Sequence, residues 1–468
     1  MCARISLVLA AALLAGCAVG PNYKRPPADV PATFRAPQPL PPGQANSLAD
    51  LKWFEVFKDD KLQELIRRAL VANYDLRDAA ARVEAARANL GITRSNQYPN
   101  FAATGYVEIN RLSRDGQIPI SPQALPNQNR TFGTVALELL SFEIDIWGRL
   151  RRATESARAS LLGEQEFQKT VVTTLVSDVA TSYLTLRELD YTLEISRRTL
   201  QTREESLGLT RSRQKGGVST RLDLRQAEQL VYTAAETIPS IQRQIEQTEN
   251  QINLLLGQNP GGVARGRGLT EQDLPEVPPG LTSALLERRP DIRAAEQGLI
   301  AANAQIGVAR AAYFPQLSIS GLLGGQSTQL SSLFSGPHTA WSFVPTVSQP
   351  LFTAGRLKSN VRLTEAERDR ALIQYQKTIQ TAFTEVSDAL IAHQRVRESR
   401  EKQEALVAAL QDRLGLAYAR YRGGVDTQLN ALDADRDLFQ GELDLAQIRL
   451  RELLSVVQLY KALGGGWQ

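Results

Sequence analysis

Apolar positions in this chain follow two different rhythms, and the change from one to the other occurs twice. Ala79, Val83, Ala86 and Leu90 recur at the spacing of an amphipathic helix, as do Ala295, Leu299, Ala302 and Ile306. Both helical patterns stop at a proline, Pro99 or Pro315, and the period then drops to two. Phe101, Ala103, Gly105, Val107 and Ile109 alternate with Ala102, Thr104, Tyr106, Glu108 and Asn110, and Leu317, Ile319, Gly321 and Leu323 alternate with Gln316, Ser318 and Ser320. Successive side chains of a strand point to opposite faces, so each segment reads as a strand with one apolar face. The return segments alternate alike: Val135, Leu137 and Leu139 in one, Trp341, Phe343 and Val347 in the other. Four strands result, paired as two hairpins across the polar loops Leu112 to Arg130 and Gly324 to His338.

Proline-free helical patterns follow each hairpin, from Arg149 to Lys215 and from Arg356 to Arg422. At 1.5 Å per residue each extends about 100 Å, far beyond the needs of a globular domain. Each breaks at a glycine pair, in QKGGVSTRL (Gln214 to Leu222) and YRGGVDTQL (Tyr421 to Leu429). Glycine inside a helix costs about 1 kcal/mol against alanine, so a repeated pair marks an intended turn. Ser219 and Asp426 are expected to cap the returning helices, Leu222 to Leu256 and Leu429 to Leu463. Each unit is thus a long αα-hairpin.

Internal repetition organises the whole. Asp75, Arg77, Gly91, Arg94 and Pro99 return 216 residues later, and the GRL, GGV and LG words at Gly148, Gly216 and Leu256 return 207 residues later. The expected division is a leader over 1–16, a proline-rich strap over 17–60, a first repeat over 61–257, a linker over 258–280 and a second repeat over 281–468. Pro21 to Pro42 reads either as an extended strap laid over a surface or as a linker.

Strands of about ten residues with alternating faces fit either a soluble fold, in which helices cover the apolar faces, or the wall of a transmembrane barrel. Four strands cannot close by themselves, and in lipid their edge N–H and C=O groups would go unsatisfied, so a membrane reading requires several chains to share one barrel.

Composition narrows the function. The 54 basic and 50 acidic residues are spread along the chain with no basic block, which argues against nucleic acid. Only two histidines exist, His338 and His393, and neither metal-ligand spacing nor a phosphate-cradling glycine loop appears, so no enzyme and no cofactor are expected. Acidic neighbours such as Asp433 and Asp435 read as a solvated helix face. The N-terminus, with one Arg, an apolar run from Ile5 to Ala15 and LAGC ending at Cys17, reads as a signal peptide that leaves Cys17 as the new first residue. Small residues before that cysteine resemble the lipobox of bacterial lipoproteins, which implies acylation of Cys17; a lone cysteine at the new terminus, with none left to pair with it, is what such an anchor needs.

The lipobox followed by CAVGPNYKRP, the strand approach AAYFPQLSISG, the FEIDIWGRL and FTAGRL turns, YRGGVDTQLNALDADRDLF and the final LYKALGGGW together resemble the TolC-type outer-membrane efflux proteins, in their lipoprotein, OprM-like (NodT-type) branch. The resemblance covers essentially all of the mature chain. It implies an α+β membrane protein: a homotrimer with a 12-stranded β-barrel in the outer membrane of a Gram-negative bacterium and a helical barrel in the periplasm. It further implies a passive exit duct for small molecules, docked on a periplasmic membrane-fusion adaptor and served by an inner-membrane pump of RND, ABC or MFS type. The alternatives are a duct for type I protein secretion and a soluble coiled-coil scaffold lipoprotein.

Site residues follow from the same resemblance. Leu429, Asp433 and Arg436 match the family's periplasmic constriction, and Asp223 and Tyr421 match a closed-state contact between neighbouring helices. Gly216, Gly217, Val218, Gly423, Gly424 and Val425 match the adaptor-docking ends, and Cys17 carries the lipid. Asp426 stands where the TolC prototype has a basic residue. From the residues alone, Leu429, Asp433 and Arg436 share one face of a helix, a stripe that in a single chain is merely solvated.

Overall fold

The computed structural model describes residues 18–36, 47–111, 129–272 and 282–467. The lipidation expected at Cys17 lies outside the described residues, as do parts of the strap, of the first hairpin loop and of the linker.

The elements run α1 (Asp60–Ala72), α2 (Tyr74–Ser95), β1 (Phe101–Arg111), β2 (Asn129–Ile144), α3 (Arg149–Lys215), α4 (Arg221–Leu255), α5 (Pro290–Ala311), β3 (Gln316–Ser327), β4 (Thr339–Ser348), α6 (Arg356–Arg422) and α7 (Gln428–Ala462), with a few single turns between them. The helices α3 and α6 are each 67 residues long, as the proline-free patterns require. None of the described helices is long and apolar enough to cross a membrane.

The chain divides into two compact units. The first gathers residues up to 26 with 83–163 and 295–375, and it contains the sheet. Its strands lie in the order β1-β2-β3-β4, all antiparallel. Register carries the apolar faces across the strands: Ala103 pairs with Leu137, Leu137 with Leu323 and Leu323 with Trp341. Facing residues of an antiparallel pair share one side of a sheet, so these four form a single row. Phe101, Leu139, Gly321 and Phe343 form the next row. In the first of these rows Leu137, Leu323 and Trp341 are 51%, 59% and 73% exposed. The opposite face is polar in part, with Thr104 donating to Glu138 at 2.7 Å and Gln326 to Thr134 at 3.3 Å. The soluble alternative, in which helices bury the apolar faces, is therefore not what the chain does.

Residues 18–25 are laid along the same unit. Val19 N–H donates to the Trp147 carbonyl, Asn303 to the Pro21 carbonyl, and Arg152 to Asn22, at 2.6–2.9 Å. Arg25 grips Glu296 through two hydrogen bonds. The backbone passes so close to α5 that a Cβ at Gly20 would stand 2.5 Å from Gly307 Cα. The described beginning of the proline-rich stretch is thus held against this unit by these bonds.

The second unit gathers 27–82, 164–294 and 376–468. Its core packs the middle of α3 (Val176, Val179, Tyr183, Leu186) with α1 (Leu62, Ile66) and the last turns of α7 (Val456, Leu459, Tyr460), all buried. The Tyr460 ring meets Phe57 edge-on at 6.2 Å, and its hydroxyl donates to the Leu51 carbonyl at 2.8 Å.

Candidate functional site: hairpin ends and a charged helix face

Both long hairpins turn in the same way, and in each only the second glycine is left-handed, Gly217 at φ 74° and Gly424 at φ 74°. Val218 N–H reaches back to the Arg213 carbonyl at 2.9 Å and Val425 N–H to Arg420 at 3.1 Å, while the glycine N–H groups bond nearer carbonyls. This is the Schellman pattern, which satisfies carbonyls that a helix end otherwise orphans. Just past the turns, Val218 and Val425 are 78% and 68% exposed.

The expected caps are off by one residue. The N-caps of α4 and α7 are Thr220 and Thr427, not Ser219 and Asp426. Thr220 accepts from Asp223 N–H at 3.1 Å while the Asp223 carboxylate accepts from Thr220 N–H at 2.8 Å, a reciprocal capping box. Asp426 instead accepts from Arg420, Thr427 N–H and Asn430. The Arg420 and Asn430 hydrogen bonds hold its carboxyl below the ordinary range. Asp223 and Tyr421 are not brought together within one chain, for Asp223 serves Thr220 and the Tyr421 hydroxyl donates to Gln428 at 3.2 Å.

Leu429, Asp433 and Arg436 do share one face of α7. Leu429 is 48% exposed, and Arg436 lies 3.3 Å from Asp433 and 3.3 Å from Asp437. Arg413 of α6 bonds Asp437 at 2.7 Å and, with Arg436, draws its carboxyl down. On the other side of the same turns Ala431, Leu432 and Ala434 are buried.

Asp435 lies on that buried side, so the reading of Asp433 and Asp435 as one solvated acidic face is corrected. Its carboxylate accepts from Arg203 of α3 at 2.6 Å, and the two side chains are 7% and 3% exposed. Arg203 was missed as a functional candidate, although a signal existed: it falls on the core stripe of Leu200, Leu207 and Thr210, as Asp435 falls with Leu432 and Phe439. A charge at core spacing in two helices suggests a buried pair.

Among the described residues no cluster of His, Cys, Asp and Glu could hold a metal ion. His393 Nδ1 lies 3.0 Å from the Ser455 hydroxyl, and burial, with the Arg397 charge nearby, lowers its pKa.

The sequence profile described as outer membrane efflux protein matches residues 65–258 and 281–465. The chain belongs to that family. Members are outer-membrane efflux channels, not enzymes, and this chain is one of them. It is 39% identical over 470 residues to the probable efflux pump outer membrane protein TtgC of Pseudomonas putida, covering 99% of this chain and 95% of that one. A crystal structure of a Pseudomonas aeruginosa membrane protein superposes with a TM-score of 0.87 at 34% identity, covering 96% of this chain and 100% of that one. The open state of the Neisseria gonorrhoeae MtrE outer membrane channel does so at 0.87 and 30%, covering 97% and 99%. The outer membrane efflux proteins therefore share this TolC-like arrangement of four antiparallel strands and long helices with the chain.

Proposed function

We propose that three copies of this outer-membrane efflux protein close one twelve-stranded barrel and form the passive exit duct of a tripartite efflux system. The observation that carries the reading is the sheet. Its apolar rows are exposed, and among the described residues β1 and β4 each have one edge with no strand beside it. In lipid every unsatisfied backbone group costs several kcal/mol, and the smallest barrels need about eight strands, so a four-stranded chain must assemble with copies of itself. The TolC-type resemblance favours three. A soluble coiled-coil scaffold has no use for such a sheet. The small-molecule reading is preferred to protein secretion because relatives such as TtgC are named as parts of efflux pumps.

In that trimer Leu429, Asp433 and Arg436 would face a common axis as a leucine ring and a charged ring. Such a constriction sets conductance and ion preference together. The ends at Gly216, Gly217 and Val218 and at Gly423, Gly424 and Val425 would meet the periplasmic adaptor, which reaches the inner-membrane pump. Any closed-state contact between Asp223 and Tyr421 would form between chains. Cys17 would carry the lipid; the strap supports this, since Val19, two residues on, is bonded to Trp147 at the end of the sheet.

The test is Leu429→Ala combined with Asp433→Ala in the full-length protein. Single-channel conductance in planar bilayers should rise and cation preference fall, with trimers intact. Conductance at the parent value would sink the constriction assignment.

A further inference from the structure

Asp435 occupies the turn of α7 that also carries Asp433 and Arg436, but on the opposite face. The Arg203 guanidinium that holds it has three engagements: Nε donates to Asp435 at 2.6 Å, Nη1 donates to the Leu230 carbonyl of α4 at 3.0 Å, and the group stands 4.9 Å from the Phe439 ring centroid. One side chain thus ties α3 to its own hairpin partner and to α7 of the other hairpin. Arg203, Ser206, Thr210 and Arg213 recur at helical spacing, so they form one polar stripe of α3. All four meet the second hairpin. Toward the ends the contacts are lighter: the Ser206 and Tyr418 hydroxyls are 3.4 Å apart, Gln428 donates to Thr210 at 2.8 Å, and Arg213 lies 4.8 Å from the Tyr421 ring centroid.

Stability does not explain a charge pair at this place. A buried ion pair is seldom more stable than apolar side chains that fill the same volume, because both ions lose their water. Burial raises the Asp435 carboxyl above its ordinary range despite Arg203, and Arg203 Nη2 is buried without a hydrogen-bond partner. Leu207, Ala227 and Val231 already form an apolar cluster close to it in sequence. What a buried pair supplies is position. Apolar surfaces slide past one another, whereas separating one partner from the other leaves a buried charge uncompensated.

We infer that Arg203 and Asp435 are positioning residues for the constriction: they clamp the far face of one α7 turn to α3 and so set how far Asp433 and Arg436 project. The inference rests on the constriction reading above.

Full-length protein in planar bilayers tests it, with closed-state conductance, the potassium-to-chloride permeability ratio and the thermal midpoint read on each variant. Arg203→Met with Asp435→Leu replaces the pair by apolar side chains. It should melt within a few degrees of the parent, conduct severalfold more and lose part of the cation preference. Asp435→Asn, which keeps one acceptor oxygen at 435 for Arg203 but removes the charge, should move conductance the same way by less, and it decides the matter if the double variant does not assemble. Leu207→Ala, a cavity in the neighbouring apolar cluster, should lower the thermal midpoint without changing conductance. The inference is overturned if both pair variants conduct like the parent while Leu429→Ala with Asp433→Ala conducts more. An equal rise in Leu207→Ala overturns it too, since loosening alone would then suffice. If the constriction variant also leaves conductance unchanged, the constriction reading has failed and the inference falls with it.

Discussion

Asp59 is the buried group on which the second unit most visibly depends, and its replacement has a size that the structure fixes. It caps α1, with Oδ1 accepting from Lys61 N–H at 2.9 Å and Leu62 N–H at 3.3 Å. Oδ2 accepts from the Tyr183 hydroxyl at 2.9 Å, Arg267 N–H at 2.8 Å and Gln272 at 3.0 Å. Five donors therefore converge on one carboxylate that is only 2% exposed. Asp59→Ala removes a cap, about 1 kcal/mol, and strands buried donors at about 1–3 kcal/mol each where water cannot replace the acceptor, roughly 3–5 kcal/mol together. Burial by itself would raise the Asp59 pKa, but hydrogen bonds from Gln272, Tyr183 and the backbone of Leu62 and Lys61 outweigh it and hold the group below its ordinary value. Because the folded value is the lower one, the stabilisation is complete above the unfolded pKa of about 3.9 and is lost as pH falls through that value toward the folded one. Hydrogen exchange on the full-length protein reads the effect locally. In Asp59→Ala the amides of 61–66 and 266–272 should exchange about a hundredfold faster or more near neutral pH. Asp59→Asn, with one acceptor oxygen for five donors, should fall between. In the parent, protection there should drop below about pH 4, while in Asp59→Ala that acid dependence should be absent. Unchanged protection in Asp59→Ala, or the same acid dependence in both proteins, would refute this reasoning.

The hairpin turns separate two glycines that look equivalent. Gly217→Ala forces a side chain into the left-handed region and should cost about 1–2 kcal/mol locally, read as faster proteolytic nicking at the turn, whereas Gly216→Ala should be near neutral; equal nicking of the two variants would contradict the assignment. Cys17→Ser should abolish labelling by radioactive palmitate while the protein stays in the outer-membrane fraction, held there by its barrel; continued labelling would move the lipid elsewhere. Tryptophan at Val218 or Val425 should reduce crosslinking to the periplasmic adaptor at unchanged trimer yield, and undiminished crosslinking would leave these residues a purely structural part in the turn.

Helix ends, strand faces and hairpin pairing were legible because each rests on local chemistry: absence of proline, a glycine pair, a period of two. The caps were misplaced by one residue because Ser219, Thr220, Asp426 and Thr427 are all competent acceptors, and what selects among them is the backbone. Thr220 and Thr427 stand extended at the helix start, where the chain enters each returning helix. Asp435 was illegible for a different reason, since its partner lies 232 residues away on another hairpin.

Duplication explains why that pair had no echo to betray it. At the 207-residue offset that relates the two hairpins, the stripe Leu429, Asp433 and Arg436 corresponds to Leu222, Gln226 and Gln229, so the leucine is shared and both charges occur once. Leu410 stands where a second Arg203 would be, and Glu228 stands where a second Asp435 would be. Glu228 spends its carboxylate on Arg225 at 2.6 Å and Arg211 at 3.7 Å, within its own hairpin. The fold could therefore be read from what the repeats hold in common, because packing two long helices makes the same demands in each copy. The constriction proposed above would need one hairpin to differ from the other. Here the difference is the charge of α7 on both faces: one face presents Asp433 and Arg436 outward, and the other is tied by Asp435 to Arg203.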